Sequence, residues 1–224
     1  EAVAGANPRT AVCLVCGSMV MMEGWAGETP AVLYTWYAGM EGGHALARVL
    51  FGEVNPGGRL PFTIPAEESH LPYFSSTDRE IRYDLYHGYT LLEKEGQRPA
   101  YPFGFGLSYT EFAYGDLRVE RQGEVVEVRA RVANVGPREG AEVVQVYVGM
   151  PDSTVERQVK LLKGFDKVTI PAGGSAEVRI AVRVDDLRYY DVEAGQWVLE
   201  PGRYRFMVGP DSLRAERLVA EIQV

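Results

Sequence analysis

The chain has 224 residues, of which 46% are hydrophobic, and a formal net charge of −8. This apolar content is enough to bury a core and excludes a disordered chain, while the acidic balance argues against nucleic acid or an anionic membrane as a partner. No apolar run reaches the roughly 20 residues that a membrane-spanning helix needs. The first residues lack a charged segment followed by an apolar one, so we expect no retained signal peptide. A start at Glu1 rather than Met indicates either processing or a piece of a longer polypeptide.

Residues 1–65 have the alternation of an α/β layer. Apolar runs at Ala11–Val15 and Ala31–Tyr37 predict two fully buried strands, and Glu41–Phe51 carries apolar residues at helical spacing. Two strands and one helix cannot cover both faces of a parallel sheet. We therefore expect residues 1–65 to be the C-terminal part of a larger α/β sandwich domain.

Cys13 and Cys16 form a C-x-x-C pair in the first apolar run. A redox or metal site would need both sulfurs on one side, whereas a spacing of three within a strand puts the side chains on opposite faces. This pattern favours structural thiols. Unpaired thiols are typical of a reducing compartment such as the cytoplasm.

Residues 66–110 show little periodicity and are rich in Pro, Gly and Tyr. Loops longer than about 15 residues are usually functional or join domains, and the aromatic residues indicate order. We expect an ordered linker in which Pro102–Gly106 threads between two domains, where glycine permits a close approach.

Residues 111–224 are predicted to be all-β. The alternation of Val125–Val132 indicates one strand. Further strands are predicted at Glu142–Val148, Val159–Val168, Ala176–Val182, Trp197–Leu199, Arg203–Val208 and Arg217–Val224. About seven short strands separated by turn signals are typical of an immunoglobulin or fibronectin type III sandwich, and the lack of cysteines here favours the fibronectin variant. Trp197 and the alternating valines are expected in its core.

Three stretches resemble glycoside hydrolase family 3, in the order and at the spacings of that family. They are ANPRTAVCLVCGSMVMMEGWAGETPAVLYTWYAGMEGGHALARVLFGEVNPGGRLPFTIP, then PAYPFGFGLSYTEFAYGDLRV, then VANVGPREGAEVVQVYV with VKLLKGFDKVTIPAGG and DDLRYYD. The resemblance covers essentially the whole chain. It implies an enzyme with a (β/α)8-like barrel, an α/β sandwich and a fibronectin type III-like domain, of which this chain holds the end of the second and all of the third.

The resemblance also implies an activity. Members hydrolyse terminal β-D-glucosyl or related residues from β-linked oligosaccharides or aryl glycosides, with retention, using two carboxylates roughly 5–5.5 Å apart. In the family both carboxylates precede the segment that this chain matches, so we expect no catalytic residue here. The implied partner is the N-terminal part or chain that bears the barrel and the rest of the α/β domain. No cofactor is expected.

Four residues are candidates for the rim of the sugar cleft. Trp36 ends a predicted strand, where ligands bind in α/β sheets, and Tyr83 and Tyr86 lie in the linker segment; all three could stack on a sugar ring. The alternatives are core packing for Trp36 and domain-interface packing for the two tyrosines. Glu41 could support the rim indirectly, or it could simply stabilise the start of the predicted helix.

Other kinds of site are disfavoured. His44, His70 and His87 lack the spacing of a helical zinc site, Ser18 is not in a G-x-S-x-G elbow, and EGGHALA lacks the Lys-Ser/Thr of a phosphate loop.

Two alternatives to an enzyme part remain open. One is a fibronectin-like module that binds carbohydrate or protein without chemistry, and the other is a sandwich that serves as a dimerisation element in a homo-oligomer. The resemblance implies that residues of the barrel, outside this chain, determine which sugar is bound.

Overall fold

The computed structural model describes all residues, Glu1–Val224, as an α/β layer followed by an antiparallel β-sandwich. Its helices are α1 (Ala2–Ala6), α2 (Gly42–Leu50) and α3 (Tyr89–Lys94). Its strands are β1 (Ala11–Leu14), β2 (Ala31–Tyr34), β3 (Ile64–Pro65), β4 (Pro99–Tyr101), β5 (Phe112–Gln122), β6 (Val125–Asn134), β7 (Gly140–Gly149), β8 (Leu161–Ile170), β9 (Ser175–Arg183), β10 (Tyr189–Asp191), β11 (Gln196–Val198), β12 (Arg203–Gly209) and β13 (Val219–Gln223). None of the helices has the length and apolar character of a membrane span.

The α/β layer contains the two predicted strands and the predicted helix. β1 and β2 pair in parallel, from Ala11 opposite Ala31 to Leu14 opposite Tyr34, and α2 follows β2. The full burial expected of the two strands is not reached within this chain, since no residue of β1, β2 or α2 is buried. Within this chain no further strand or helix layer covers these elements.

The predicted position of the two cysteines is corrected by the end of β1. Cys13 lies in the strand, but Cys16 lies two residues beyond its end at Leu14. Both thiols are free, and the Cys16 thiol donates to the Tyr34 hydroxyl at 3.2 Å. The strand-face argument therefore does not apply to this pair.

The sandwich consists of a three-stranded sheet, β5-β6-β9, and a four-stranded sheet, β13-β12-β7-β8. All of its neighbouring strands are antiparallel. Val126, Val128, Ala130 and Val132 point inward from β6, and they belong to a core cluster of 17 buried residues shared by both sheets. The period-two pattern in the sequence thus reflects the alternation of inward and outward side chains along β6.

β5 is the main strand that the sequence analysis missed. Its register against β6 shifts between Gly115 and Arg118, and Asp116 has a positive φ of 53°. This is a β-bulge, which inserts extra residues and breaks the alternation of side chains along the strand. The bulge explains why FAYGDLRVERQ does not have the pattern of a strand.

The prediction that Trp197 lies in the sandwich core is wrong. β10 and β11 form a separate two-stranded ribbon outside both sheets, and Trp197 on β11 is 63% exposed. A two-stranded ribbon has no second layer to cover its side chains. Trp197 packs instead on its cross-strand neighbour Tyr190, with ring centroids 5.5 Å apart.

The linker crosses the sandwich in close contact with it. Gly104 has a φ of 83°, and its N–H donates to the carbonyl of Leu60 at 2.8 Å. A Cβ at this position would collide with the side-chain amide of Gln145 on β7. Ser212 N–H donates to the Phe103 carbonyl at 2.9 Å. The close approach that the sequence predicts for Pro102–Gly106 is present.

A buried ion pair joins the α/β layer to the sandwich. The Arg59 guanidinium lies 2.5 Å from the carboxylate of Glu142 on β7, and both side chains are almost fully buried. The same carboxylate accepts a hydrogen bond from Tyr114 at 2.7 Å. Nearby, the side-chain amide of Asn55 donates to the Glu139 carbonyl at 3.0 Å. These contacts hold the α/β layer in a fixed position on the sandwich.

Candidate functional site at the carboxyl ends of the parallel strands

β1 and β2 end at the same edge of their sheet because they are parallel. Beyond the strand ends, Thr35 continues the pairing, since its N–H and its hydroxyl donate to the Leu14 carbonyl at 2.9 and 3.0 Å. The next residue, Trp36, has a φ of 54°. A left-handed backbone is an outlier for a bulky side chain, and such strain persists only where the surroundings hold it. The chain therefore turns sharply at Trp36.

Three rings, hereafter the edge cluster, surround this turn: Tyr34, Trp36 and Phe62. Trp36 lies 4.8 Å from Tyr34 and 5.3 Å from Phe62, measured between ring centroids, and Tyr34 lies 5.5 Å from Phe62. All three are half-buried, so part of each ring remains open. Tilted and edge-to-face rings at these distances are the favoured geometry of aromatic pairs. The edge cluster is thus an ordered apolar surface at the end of β2.

The hydroxyl of Tyr34 fixes the loop that follows β1. It accepts a hydrogen bond from the Cys16 thiol and donates one to the Ser18 carbonyl. Burial, together with the interaction with Cys16, raises the pKa of Tyr34 to about 12. The phenol is therefore neutral at physiological pH and cannot act as a general base there. No member of the edge cluster is a carboxylate, so the cluster can bind a sugar face but cannot supply the acid or the nucleophile of hydrolysis.

Glu41 lies at the start of α2, as the sequence predicts, but it caps no backbone N–H. Its carboxylate is 2.7 Å from Nδ1 of His44, and both side chains are exposed. This contact is therefore a local one on the surface of α2, and no hydrogen bond connects Glu41 to the edge cluster.

The two linker tyrosines lie in different environments. Tyr83 is exposed, and its hydroxyl donates to the Tyr73 carbonyl at 3.1 Å. Tyr86 is only 7% exposed; its hydroxyl donates to the Arg157 carbonyl at 3.1 Å, and the ammonium of Lys94 lies 3.8 Å from the centre of its ring. The structure thus packs Tyr86 against the sandwich and leaves the Tyr83 ring accessible. Neither ring is stacked on the edge cluster.

Several carboxylates that sequence reasoning missed form ion pairs between segments that are distant in the sequence. Glu142 meets Arg59, and burial raises the pKa of Glu142 despite this partner. Lys160, which is fully buried, lies between Glu93 of α3 and Glu216. The partners are distant in the sequence, so no local motif marks them.

Glu200 is a further buried carboxylate, and it holds the loop between β7 and β8. It accepts hydrogen bonds from the Ser153 hydroxyl at 2.7 Å and from the Thr154 N–H and hydroxyl at 2.7 and 2.8 Å. Burial opposes ionisation, but these hydrogen bonds and the nearby Arg157 outweigh it, so the pKa of Glu200 lies below its ordinary value of 4.5.

No three His, Cys, Asp or Glu side chains come together in a way that could hold a metal ion. His44, His70 and His87 are on separate elements of the α/β layer and linker.

Two family models match this chain. The model described as the glycosyl hydrolase family 3 C-terminal domain matches residues 1–109, and the model of the fibronectin type III-like domain matches residues 142–212. Together they span the α/β layer, the linker and most of the sandwich.

Individual relatives agree with both matches. A β-glucosidase of Rhizobium radiobacter is 39% identical over 95% of this chain and 27% of its own length. The crystal structure of a β-D-glucoside glucohydrolase from Trichoderma reesei superposes with a TM-score of 0.94 at 29% identity, over all of this chain and 34% of that one. The structure of a β-glucosidase from Kluyveromyces marxianus in complex with glucose gives 0.92 at 36% identity, over all of this chain and 27% of that one.

This chain thus spans about a quarter to a third of the length of these relatives. Its α/β fragment and its fibronectin type III-like sandwich follow one another as the sequence resemblance predicts, and both are recognised by their own family models. The chain belongs to glycoside hydrolase family 3, and it matches the C-terminal portion of the members of that family.

Proposed function

We propose that this chain is the C-terminal part of a retaining, exo-acting β-glucosidase and that it is catalytically silent on its own. The observation that carries the proposal is the uncovered α/β layer. Its parallel strands and helix α2 contain no buried residue, and Tyr37, Met40 and Phe51 are strongly exposed. Apolar surface of this extent marks a contact with further protein, which in this proposal is the remainder of the α/β domain and the barrel.

The catalytic carboxylates belong to that remainder. Retaining hydrolysis needs one carboxylate to attack the anomeric carbon and a second to protonate the leaving oxygen, then to activate water. The buried carboxylates of this chain are held by Arg, Lys, Ser and Thr partners, which suits them to bracing rather than to proton transfer. The chain would contribute the edge cluster as one wall of the cleft, with Trp36 and Tyr83 as the candidate contacts of a sugar ring.

The proposed substrate is a terminal non-reducing β-D-glucosyl residue in a β-linked oligosaccharide or an aryl glycoside. The names of the relatives support this choice, and one of the similar structures is a β-glucosidase in complex with glucose.

A complementation assay tests the proposal. The chain, its natural upstream part and the two together would be assayed for hydrolysis of an aryl β-glucoside, and complex formation would be followed by native and denaturing mass spectrometry. We expect hydrolysis only from the combination, with the two parts separating on denaturation. Full activity of the upstream part alone, or a stable monomeric chain that binds glucan and no upstream part, would overturn the proposal. The second outcome would establish a binding module instead.

A further inference from the structure

The β10–β11 ribbon presents a rigid aromatic platform. Tyr190 and Trp197 are cross-strand partners, and their rings meet nearly edge-to-face at 70°. The turn is fixed by the Asp191 carboxylate, which accepts hydrogen bonds from the N–H groups of Glu193 and Ala194 at 3.0 and 3.1 Å. A ribbon fixed at its turn and braced by a ring pair holds the exposed indole of Trp197 in one orientation.

A depression of about 820 Å³ lies beside this indole. Its volume is within the range of about 300–1,000 Å³ that is usual for small-molecule sites. Two of its lining residues are hydrophobic and four are charged; the six are Leu162, Lys163, Asp185, Asp186, Arg188 and Trp197. One wall is therefore aromatic and the others are rich in hydrogen-bonding groups.

Not all of these charges are satisfied within the chain. Asp185 is paired with Arg188 at 2.9 Å and with Arg183 at 3.3 Å. The side chains of Lys163 and Asp186 make no hydrogen bond or ion pair within the chain, although both residues line the depression. Burial lowers the pKa of Lys163, and the charge of Asp186 partly offsets this effect. A half-buried ammonium and a carboxylate are therefore available to a ligand that offers both acceptors and donors.

We propose that this depression is a carbohydrate-binding site that takes a β-linked glucan chain. A pyranose ring offers an apolar C–H face to an aromatic ring and equatorial hydroxyls, each a donor and an acceptor, to charged side chains at its edge. Trp197 supplies the first surface, and Lys163 and Asp186 supply the second. A protein partner fits less well, because Lys and Asp are depleted in the cores of protein interfaces. The choice of a β-glucan rests on the proposed function.

Affinity electrophoresis of the complete enzyme, in gels with and without a soluble mixed-linkage β-glucan, tests the site. We expect the glucan to retard the wild type, Trp197→Ala to weaken that binding at least about fivefold, and Asp186→Asn to weaken it by a smaller factor. The matched control is Phe165→Ala on β8, because Phe165 is 67% exposed but does not line the depression. It should be retarded like the wild type.

Two further measurements separate the outcomes. Trp197→Ala should keep the hydrolysis rate on an aryl β-glucoside and the association of the complete enzyme. If the wild-type enzyme hydrolyses the aryl β-glucoside but is not retarded by glucan, the binding site is overturned and the proposed function stands. If it is retarded but does not hydrolyse the glucoside, the proposed function is overturned and the binding site stands. A dissociated complex for Trp197→Ala would show that other parts of the enzyme cover the indole, and would also overturn the site.

Discussion

Replacing Gly104 by Ala tests how closely the linker is held against the sandwich. The residue has a left-handed backbone, and the amide of Gln145 occupies the space that a Cβ would need. Gln145 is itself buried, and its amide nitrogen donates to the carbonyls of Gly104 and Pro210 while its oxygen accepts from the hydroxyl of Tyr147. The substitution therefore strains the backbone and displaces a fully bonded side chain.

The expected loss of stability is the sum of two contributions. A left-handed non-glycine residue costs about 1 kcal/mol. Displacing the Gln145 amide leaves the buried Tyr147 hydroxyl and at least one carbonyl unpaired, at about 1–3 kcal/mol for each group. We expect a total of about 3–7 kcal/mol, which corresponds to a fall in melting temperature of roughly 6–28 °C for a protein of this size.

Gly123 provides the matched control. It lies between β5 and β6 with a φ of 64°, but no atom lies within 4 Å of the position of its Cβ. Gly123→Ala should therefore cost only the backbone contribution of about 1 kcal/mol. Urea denaturation followed by circular dichroism measures both variants. Equal losses for the two would refute the reasoning, because they would show that the linker is not pressed on Gln145.

Three further predictions concern other parts of the chain. Arg59→Met should destabilise the protein by about 3–5 kcal/mol because it leaves Glu142 buried without its cation, and the double variant with Glu142→Met should lose clearly less in urea denaturation; equal losses would contradict this. Glu200 has a lowered pKa in the fold, so its contribution is complete above the unfolded value near 4.5 and is lost as pH falls through the folded value. The stability deficit of Glu200→Gln should thus shrink as the pH falls below about 4.5, and a deficit independent of pH would refute it. In the complete enzyme, Trp36→Ala should raise the KM for an aryl β-glucoside, whereas Tyr37→Ala should change complex formation instead; an unchanged KM for Trp36→Ala would remove this residue from the cleft.

The sequence predicted the elements whose residues obey a simple period. The positions of β6 and α2 follow from their apolar spacing. For β6 the reason is visible in the fold, because burial of one face imposes an apolar residue at every second position. β5 was missed because the bulge at Gly115 and Asp116 interrupts its alternation. Trp197 was misplaced because composition does not distinguish a strand in a sheet from a strand in a projecting ribbon.

The candidate site was only partly predictable for a related reason. Trp36 could be placed at a strand end from the pattern of its neighbours, but its left-handed backbone and its contact with Phe62 depend on the folded chain. The bond between Arg59 and Glu142 joins residues that are 83 positions apart. Such pairs leave no signal in a local window, since each residue alone resembles an ordinary surface charge.

The packing of the linker has a consequence for protein engineering. Gly104 of the linker lacks a side chain where Gln145 of β7 places its amide. In the same way, Arg59 of the α/β layer neutralises the buried charge of Glu142 on β7. A chimera that exchanged the sandwich alone would bring together residues that had not been selected as partners, and it would put a buried charge or a steric collision at the junction. The α/β layer, linker and sandwich are therefore best transplanted between enzymes as one unit.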